Sequence, residues 1–249
     1  MLNVRSHTQP APASRYHTSL AVDDSEIREA QRLRYQVFAE EMGARLSSAQ
    51  PGHDVDLYDP HCDHLLVRDL ASGEVVGTYR ILPPDAARRV GIYYSEQEFD
   101  LTRLGFLRPR MAELGRSCVH PAHRSGAVIT RLWMGLADYM VRYGHQYIVG
   151  CASIGMADGG HAAASVFRQL SEHHLAPVEW RTTPRYRLPV ESLDDGRTAA
   201  LPPLIKGYIR LGAMVCGEPA WDPDFNTADL LMLLPMAQLN RSYVRRLLA

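Results

Sequence analysis

The stretch Met111–Leu136, MAELGRSCVHPAHRSGAVITRLWMGL, constrains this chain more than any other. Met111 to Val119 is a mostly extended pattern, and His120-Pro121 breaks it, because the residue before a proline is pushed out of the helical region. After Arg124-Ser125-Gly126, the apolar residues Val128, Ile129, Leu132, Trp133, Leu136, Ala137, Met140 and Val141 keep to one face of a helical period. Gly144 stands where such a helix stops. The pattern predicts strand, turn and helix, with the chemistry at the turn. A small-residue turn feeding a helix N-terminus aims backbone N–H groups at an anion. Glu113 and Arg116 form a charged pair inside the apolar strand, either a half-exposed ion pair or part of a site. They are three apart, so a regular strand would turn them to opposite faces; a bulge at Leu114-Gly115 would bring them together.

What surrounds this unit excludes several classes. The 249 residues contain no linker-like segment in the middle, and a net charge of −1 gives no general attraction to nucleic acid or anionic membrane. The longest apolar run, Leu230–Ala237, has eight residues, against about 20 for a bilayer span, so no transmembrane helix is expected. The start is polar and rich in Pro, Ala and Ser, without a signal-type apolar segment. We expect a flexible tail over residues 1–14 and one domain over 15–249. Cys62, Cys118, Cys151 and Cys216 form no CxxC and read as reduced thiols of a cytoplasmic protein.

In chain order, Arg15–Val22 reads as a strand, and Asp23-Asp24-Ser25-Glu26 caps a helix from Ser25 to Met42. Arg34 lies beside that helix's apolar face, four residues before Phe38, and reads either as a solvated arginine or as a site residue. The loop Ala44–His61 holds Asp54, Asp56 and Asp59 with His53 and His61. Its spacing matches neither an EF-hand nor a zinc pattern, which ranks a metal site behind a solvated acidic loop and a cation-binding patch. Cys62–Asp69 and Glu74–Leu82 make a hairpin with Arg80 among apolar neighbours. Pro83–Arg110 is irregular, with a short helix at Ser95. Further on, strands are expected at Gln146–Ile154, Leu175–Arg181, Arg185–Leu188 and Asp229–Leu234, and helices at Ala162–His173, from Pro202-Pro203 through Leu211, and at Gln238–Leu248.

The residues resemble the acetyltransferase-like (GNAT) superfamily, and within it the branch of acyl-homoserine-lactone synthases and ornithine–acyl carrier protein N-acyltransferases. The markers are Leu33-Arg34 with Phe38, the Asp54/Asp56/Asp59 loop, Gly77-Thr78-Tyr79-Arg80-Ile81-Leu82, and Glu113-Leu114-Gly115-Arg116-Ser117-Cys118-Val119. Pro203-Leu204-Ile205-Lys206-Gly207-Tyr208 and Gly217-Glu218-Pro219-Ala220-Trp221-Asp222-Pro223-Asp224-Phe225 are similar to the ornithine enzymes specifically. Glu40-Glu41-Met42-Gly43 follows Phe38 where the lactone synthases carry a tryptophan. The coenzyme A loop is reduced to Arg124-Ser125-Gly126-Ala127, which favours acyl carrier protein as donor.

The resemblance implies a GNAT-like α/β/α sandwich on a mixed, mostly antiparallel sheet with a C-terminal helical and strand extension. It implies transfer of a 3-hydroxy fatty acyl group from acyl carrier protein to the alpha-amine of L-ornithine, giving lyso-ornithine lipid. The 4'-phosphopantetheine thioester is then a co-substrate, no cofactor or metal is tightly bound, and the lipid product implies transient contact with the inner membrane. An amine with a pKa of about 8 is mostly protonated at neutral pH, so a base is needed, and Glu113 is the choice. Arg34, Phe38, Arg80 and Arg116 with Asp54, Asp56 and Asp59 are expected around ornithine. Arginine suits its carboxylate and the aspartates its cationic side chain. Val119, Arg124, Ser125, Gly126 and Ala127 are expected at the pantetheine phosphate. His120 and His123 are turn histidines or substitute bases, and Cys118 lacks a base partner for a nucleophilic role. The alternatives are a lactone synthase and a non-catalytic binder of acyl carrier protein or lipid.

Overall fold

The computed structural model describes residues 14–240 and 242. Strand β1 (Tyr16–Leu20) leads into helix α1 (Asp24–Tyr35), which starts because the Asp23 carboxylate accepts from the Ser25 and Glu26 amides. The expected helix to Met42 is not uniform: from Gln36 to Glu41 it widens into a π-helical turn. The hairpin forms as β2 (Asp63–Asp69) and β3 (Val75–Leu82). The stretch read as irregular contains helix α2 (Pro84–Val90), with proline in its first turn and Gly91 at φ 95 closing it.

Next come β4 (Phe99–Asp100), β5 (Met111–Val119), α3 (Ala127–Tyr143), β6 (Tyr147–Gly155) and α4 (His161–Ser171). The strands expected at Leu175–Arg181 and Arg185–Leu188 are replaced by a 3-10 turn at Val178–Trp180, β7 (Thr183–Pro184) and α5 (Val190–Leu193). Pro177, Pro184 and Pro189 deny that segment the amide donors of a ladder. The chain continues as α6 (Pro203–Leu211), β8 (Met214–Val215), β9 (Ala220–Asp222) and β10 (Thr227–Pro235). Most of the helix expected at Gln238–Leu248 lies outside the described residues, as do residues 1–13 of the expected tail.

The main sheet runs β1-β2-β3-β5-β6-β10-β8, with β9 on β10. Among the described ladders only β5–β6 is parallel. Helix α1 and the π-helical turn after it cover one face, where Ala30, Leu33 and Val37 pack on Leu66, Val75 and Cys118. Helix α3 covers the other, with Val128, Leu132 and Leu136 on Leu65, Val67 and Leu114. This is the expected α/β/α sandwich. The β5–β6 ladder joins only Met111–Glu113 to Tyr147–Val149. Beyond it the two strands part within the sheet. Gly150 sits there because a Cβ would collide with the Leu114 carbonyl oxygen.

Candidate active site

The site begins with an irregularity in β5. Arg80 faces Gly115 and Thr78 faces Cys118, so Arg116 and Ser117 together stand against Tyr79. Arg116 takes a left-handed φ of 52, which is uncommon for a non-glycine residue. The bulge brings Glu113 and Arg116 onto one wall of a cavity of about 230 Å³, also lined by Phe38, Arg80, Tyr94 and Asp229. The sequence places the bulge at Leu114-Gly115; it forms just beyond, because ion pairs and two aromatic rings hold Arg116. Its guanidinium lies 4.9 Å from the Tyr94 ring centre and 4.8 Å from that of Phe225.

The arginines and aspartates expected to divide a substrate between them are instead bound to one another. Arg34 is fully buried; Nε donates to Asp54 at 2.8 Å and Nη1 to Asp59 at 2.8 Å. Arg80 Nη1 donates to Asp56 at 2.6 Å and to Asp59 at 2.9 Å. Arg116 Nε donates to Asp54 at 3.0 Å, and Nη2 reaches Asp56 at 3.4 Å. Three cations and three anions form a closed ring. Burial alone would raise the Asp59 carboxyl, but Arg34 and Arg80 outweigh it and hold it well below the usual range. The loop is therefore neither a solvated acidic patch nor a free cation site. It is the counter-charge that lets these arginines be buried. Arg34 is withdrawn from the cavity, whereas Arg80 and Arg116 line it.

Glu113 is buried on the same wall. It accepts from the Tyr94 amide at 2.6 Å, the Ser95 amide at 2.7 Å and the Ser95 hydroxyl at 2.5 Å. Burial raises its pKa, and the hydrogen bonds from Ser95 and Tyr94 partly offset that. Asp229 on β10 lines the same cavity and is buried beside Glu98. Single atoms of Glu98, Asp229 and the Cys151 thiol lie within 4.8 Å of one another. Burial and then mutual repulsion raise the Glu98 carboxyl, and burial raises Asp229. Like charges this close hold a shared proton at neutral pH.

At the turn, Gly126 takes φ 97 and α3 begins at Ala127. The first turn of α3 has amides without helical partners, as every helix start does. Ser125, Gly126 and Ala127 are exposed. The Arg124 guanidinium is held by Glu41 through bonds of 2.5 and 2.7 Å, and its Nε donates to the Val119 carbonyl at 3.0 Å. His120 accepts from the Ala122 amide and His123 contacts the Tyr16 hydroxyl; neither lines the cavity. Burial pushes the Cys118 thiol up to about 12.

The sequence reading missed Tyr94, Ser95, Glu98 and Asp229. Asp229 carried a signal like that of Glu113, a carboxylate within an expected apolar strand, Asp229–Leu234. Tyr94, Ser95 and Glu98 carried none, because only the tertiary fold lays that segment over β5.

Residues 33–134 match the acetyltransferase (GNAT) domain family. The chain is 40% identical over 247 residues to L-ornithine N(alpha)-acyltransferase of Rhizobium meliloti, covering 91% of this chain and 82% of that protein. It is 41% identical over 255 residues to the Rhodobacter capsulatus protein of the same name, covering 95% and 96%. In fold it is similar to a CoA-dependent acyl-homoserine lactone synthase, BjaI, solved with SAM and isopentyl-CoA. That match has a TM-score of 0.53 at 16% identity, covering 93% of this chain and 86% of that one. By sequence along nearly its whole length, and by the sandwich whose split sheet holds the site, this chain belongs to the L-ornithine N(alpha)-acyltransferase family, acyltransferases built on a GNAT domain.

Proposed function

We propose that this protein moves a 3-hydroxy fatty acyl group from the thioester of acyl carrier protein to the alpha-amine of L-ornithine. The amide formed is lyso-ornithine lipid, and the carrier leaves as a free thiol. One observation carries the reading: Glu113 and the guanidiniums of Arg80 and Arg116 share one cavity wall where β5 and β6 part.

In this reading Glu113, its pKa raised by burial, takes the proton from the ammonium directly or through one water. Amides on the facing edges of β5 and β6, beyond their ladder, stabilise the tetrahedral oxyanion. Arg116 and Arg80 bind the ornithine carboxylate with donors not spent on Asp54, Asp56 and Asp59. Phe38 closes the wall above them, packed edge-on at 5.8 Å against Phe225. The aspartate loop is consumed by its arginines, so the side-chain ammonium goes to Asp229, with Glu98 behind it. The pantetheine phosphate rests on the α3 N-terminus at Ser125, Gly126 and Ala127, with Arg124 and Val119 shaping the turn. One phosphate asks less of a turn than a pyrophosphate, which favours acyl carrier protein over coenzyme A. Among the described residues no helix is long and apolar enough to cross a membrane. The lipid product then reaches the inner leaflet by transient contact.

The test is free-thiol release from 3-hydroxyacyl carrier protein, with and without ornithine. Wild type should show ornithine-dependent release, and Glu113→Gln should lose it by about a hundredfold or more while unfolding at a similar temperature. Release that ignores ornithine, or a Glu113→Gln variant at wild-type rate, would refute the respective assignment.

A further inference from the structure

A second cavity lies on the α3 face of the sheet, lined by apolar side chains that include Leu136, Ile148, Met232 and Leu234. It shares Tyr79, Leu114, Cys151 and Tyr208 with the cavity that holds Glu113, so the two meet at the split between β5 and β6. An acyl chain whose thioester sits beside Glu113 has this apolar space as its continuation. The junction itself is polar.

The hydroxyls of Tyr79 on β3 and Tyr208 on α6 hydrogen-bond to each other there, and the Ser117 hydroxyl lies beside Tyr79. The Trp133 ring stands 6.0 Å from that of Tyr208, and its indole N–H is buried with no partner among the described residues. Gly207 makes this approach possible, since a Cβ would collide with the Trp133 ring. The segment Lys206-Gly207-Tyr208 thus has a use beyond its helix. It brings one hydroxyl to the sheet and clears room for an indole.

Three hydroxyl groups and one indole bring four hydrogens, of which the Tyr79–Tyr208 and Tyr79–Ser117 contacts use two. A plain alkyl chain at this point offers nothing to the others, and a buried donor without an acceptor is costly. A chain with an oxygen a few atoms from the thioester supplies both an acceptor and a donor. We propose that Tyr79, Tyr208 and Trp133 read a hydroxyl group near the thioester of the acyl donor, and so select hydroxyacyl over plain acyl chains. This rests on the acyl-transfer reading above and assigns its 3-hydroxyl preference to particular residues. Sites built to hydrogen-bond a substrate hydroxyl discriminate against the analogue lacking it far better than apolar pockets discriminate between chains.

The experiment uses acyl carrier protein thioesters of one chain length, with and without the 3-hydroxyl, and follows ornithine-dependent thiol release. Wild type should favour the hydroxylated donor by about tenfold or more in kcat/KM. The ratio should fall to within about threefold of unity in Tyr79→Phe and in Tyr208→Phe. These isosteric changes remove only an oxygen, and the ratio is insensitive to how much enzyme is folded. Equal use of both donors by wild type overturns the inference, as does an unchanged ratio in both variants. Wild type that releases no thiol from either donor with ornithine fails the acyl-transfer reading itself, and the inference with it.

Discussion

Replacing Arg34 by methionine isolates what the charge ring contributes to stability, because methionine keeps much of the stem and removes only the guanidinium. That group is fully buried and makes four bonds: two to Asp59 at 2.8 and 3.1 Å, one to the Asp54 carboxylate at 2.8 Å and one to the Asp54 carbonyl at 2.7 Å. In the variant Asp54 keeps Arg116, and Asp59 keeps Arg80 and the Gln31 amide. One negative charge is then unbalanced between carboxylates that are almost fully buried. Breaking a buried pair from one side costs about 3–5 kcal/mol. Against a total of about 5–15 kcal/mol, this leaves a marginal fold. Urea unfolding at neutral pH should report that loss.

The pH dependence gives a second reading of the same ring. Asp59 is held below its unfolded value, so its contribution is full above about pH 4 and is lost as pH falls through the folded value. With one arginine gone the depression is smaller, so the gap between wild type and Arg34→Met should narrow in acid. A loss below about 1 kcal/mol would mean that the ring behaves like screened surface pairs, and the argument from burial would fail.

Arg116→Lys should raise the KM for ornithine about tenfold, since lysine cannot keep both aspartates and still present a planar fork to a carboxylate. The KM for the acyl donor should stay within about twofold, and steady-state kinetics on both substrates would separate the two effects. His64 is almost fully buried on β2, and burial lowers its pKa. Below the unfolded value of about 6.5, the unfolded chain takes up a proton that the folded one resists, so stability is lost as pH falls. His64→Gln should flatten that slope in urea titrations from pH 7 to 5; an unaltered slope would assign it to other groups.

The elements with strong periodicity were legible. Helix α3 was visible in its eight apolar positions and Gly144, and β5 in the run up to His120-Pro121. Short elements set by tertiary contacts were not. β7 is two residues long between prolines, and α2 has seven residues without a clear stripe. At the site, the sequence supplied the right residue types and misassigned their partners. Asp54, Asp56 and Asp59 are charged residues in a loop, and nothing local distinguishes a solvated carboxylate from one buried against an arginine on another element. Arg34 lies beside its helix's apolar face, and nothing local decides whether it is solvated or buried; the loop's Asp54 and Asp59 close over it.

That misassignment bears on how the site is built. A non-glycine residue in the left-handed region costs of order 1 kcal/mol, and such a conformation persists only when its surroundings over-determine it. Arg116 is fixed by Asp54 and Asp56 of one loop and by the rings of Tyr94 and Phe225, three separate parts of the chain. Without the bulge, Arg116 would point to the α3 face, into the apolar core around Leu114, where no carboxylate could meet it. The aspartate loop therefore places a cation beside Glu113 and absorbs most of its charge. Arg80 and Arg116 line the cavity from these fixed positions. In the proposed reaction a carboxylate bound there would meet preset donors, the condition under which an arginine pair orients an amine for attack.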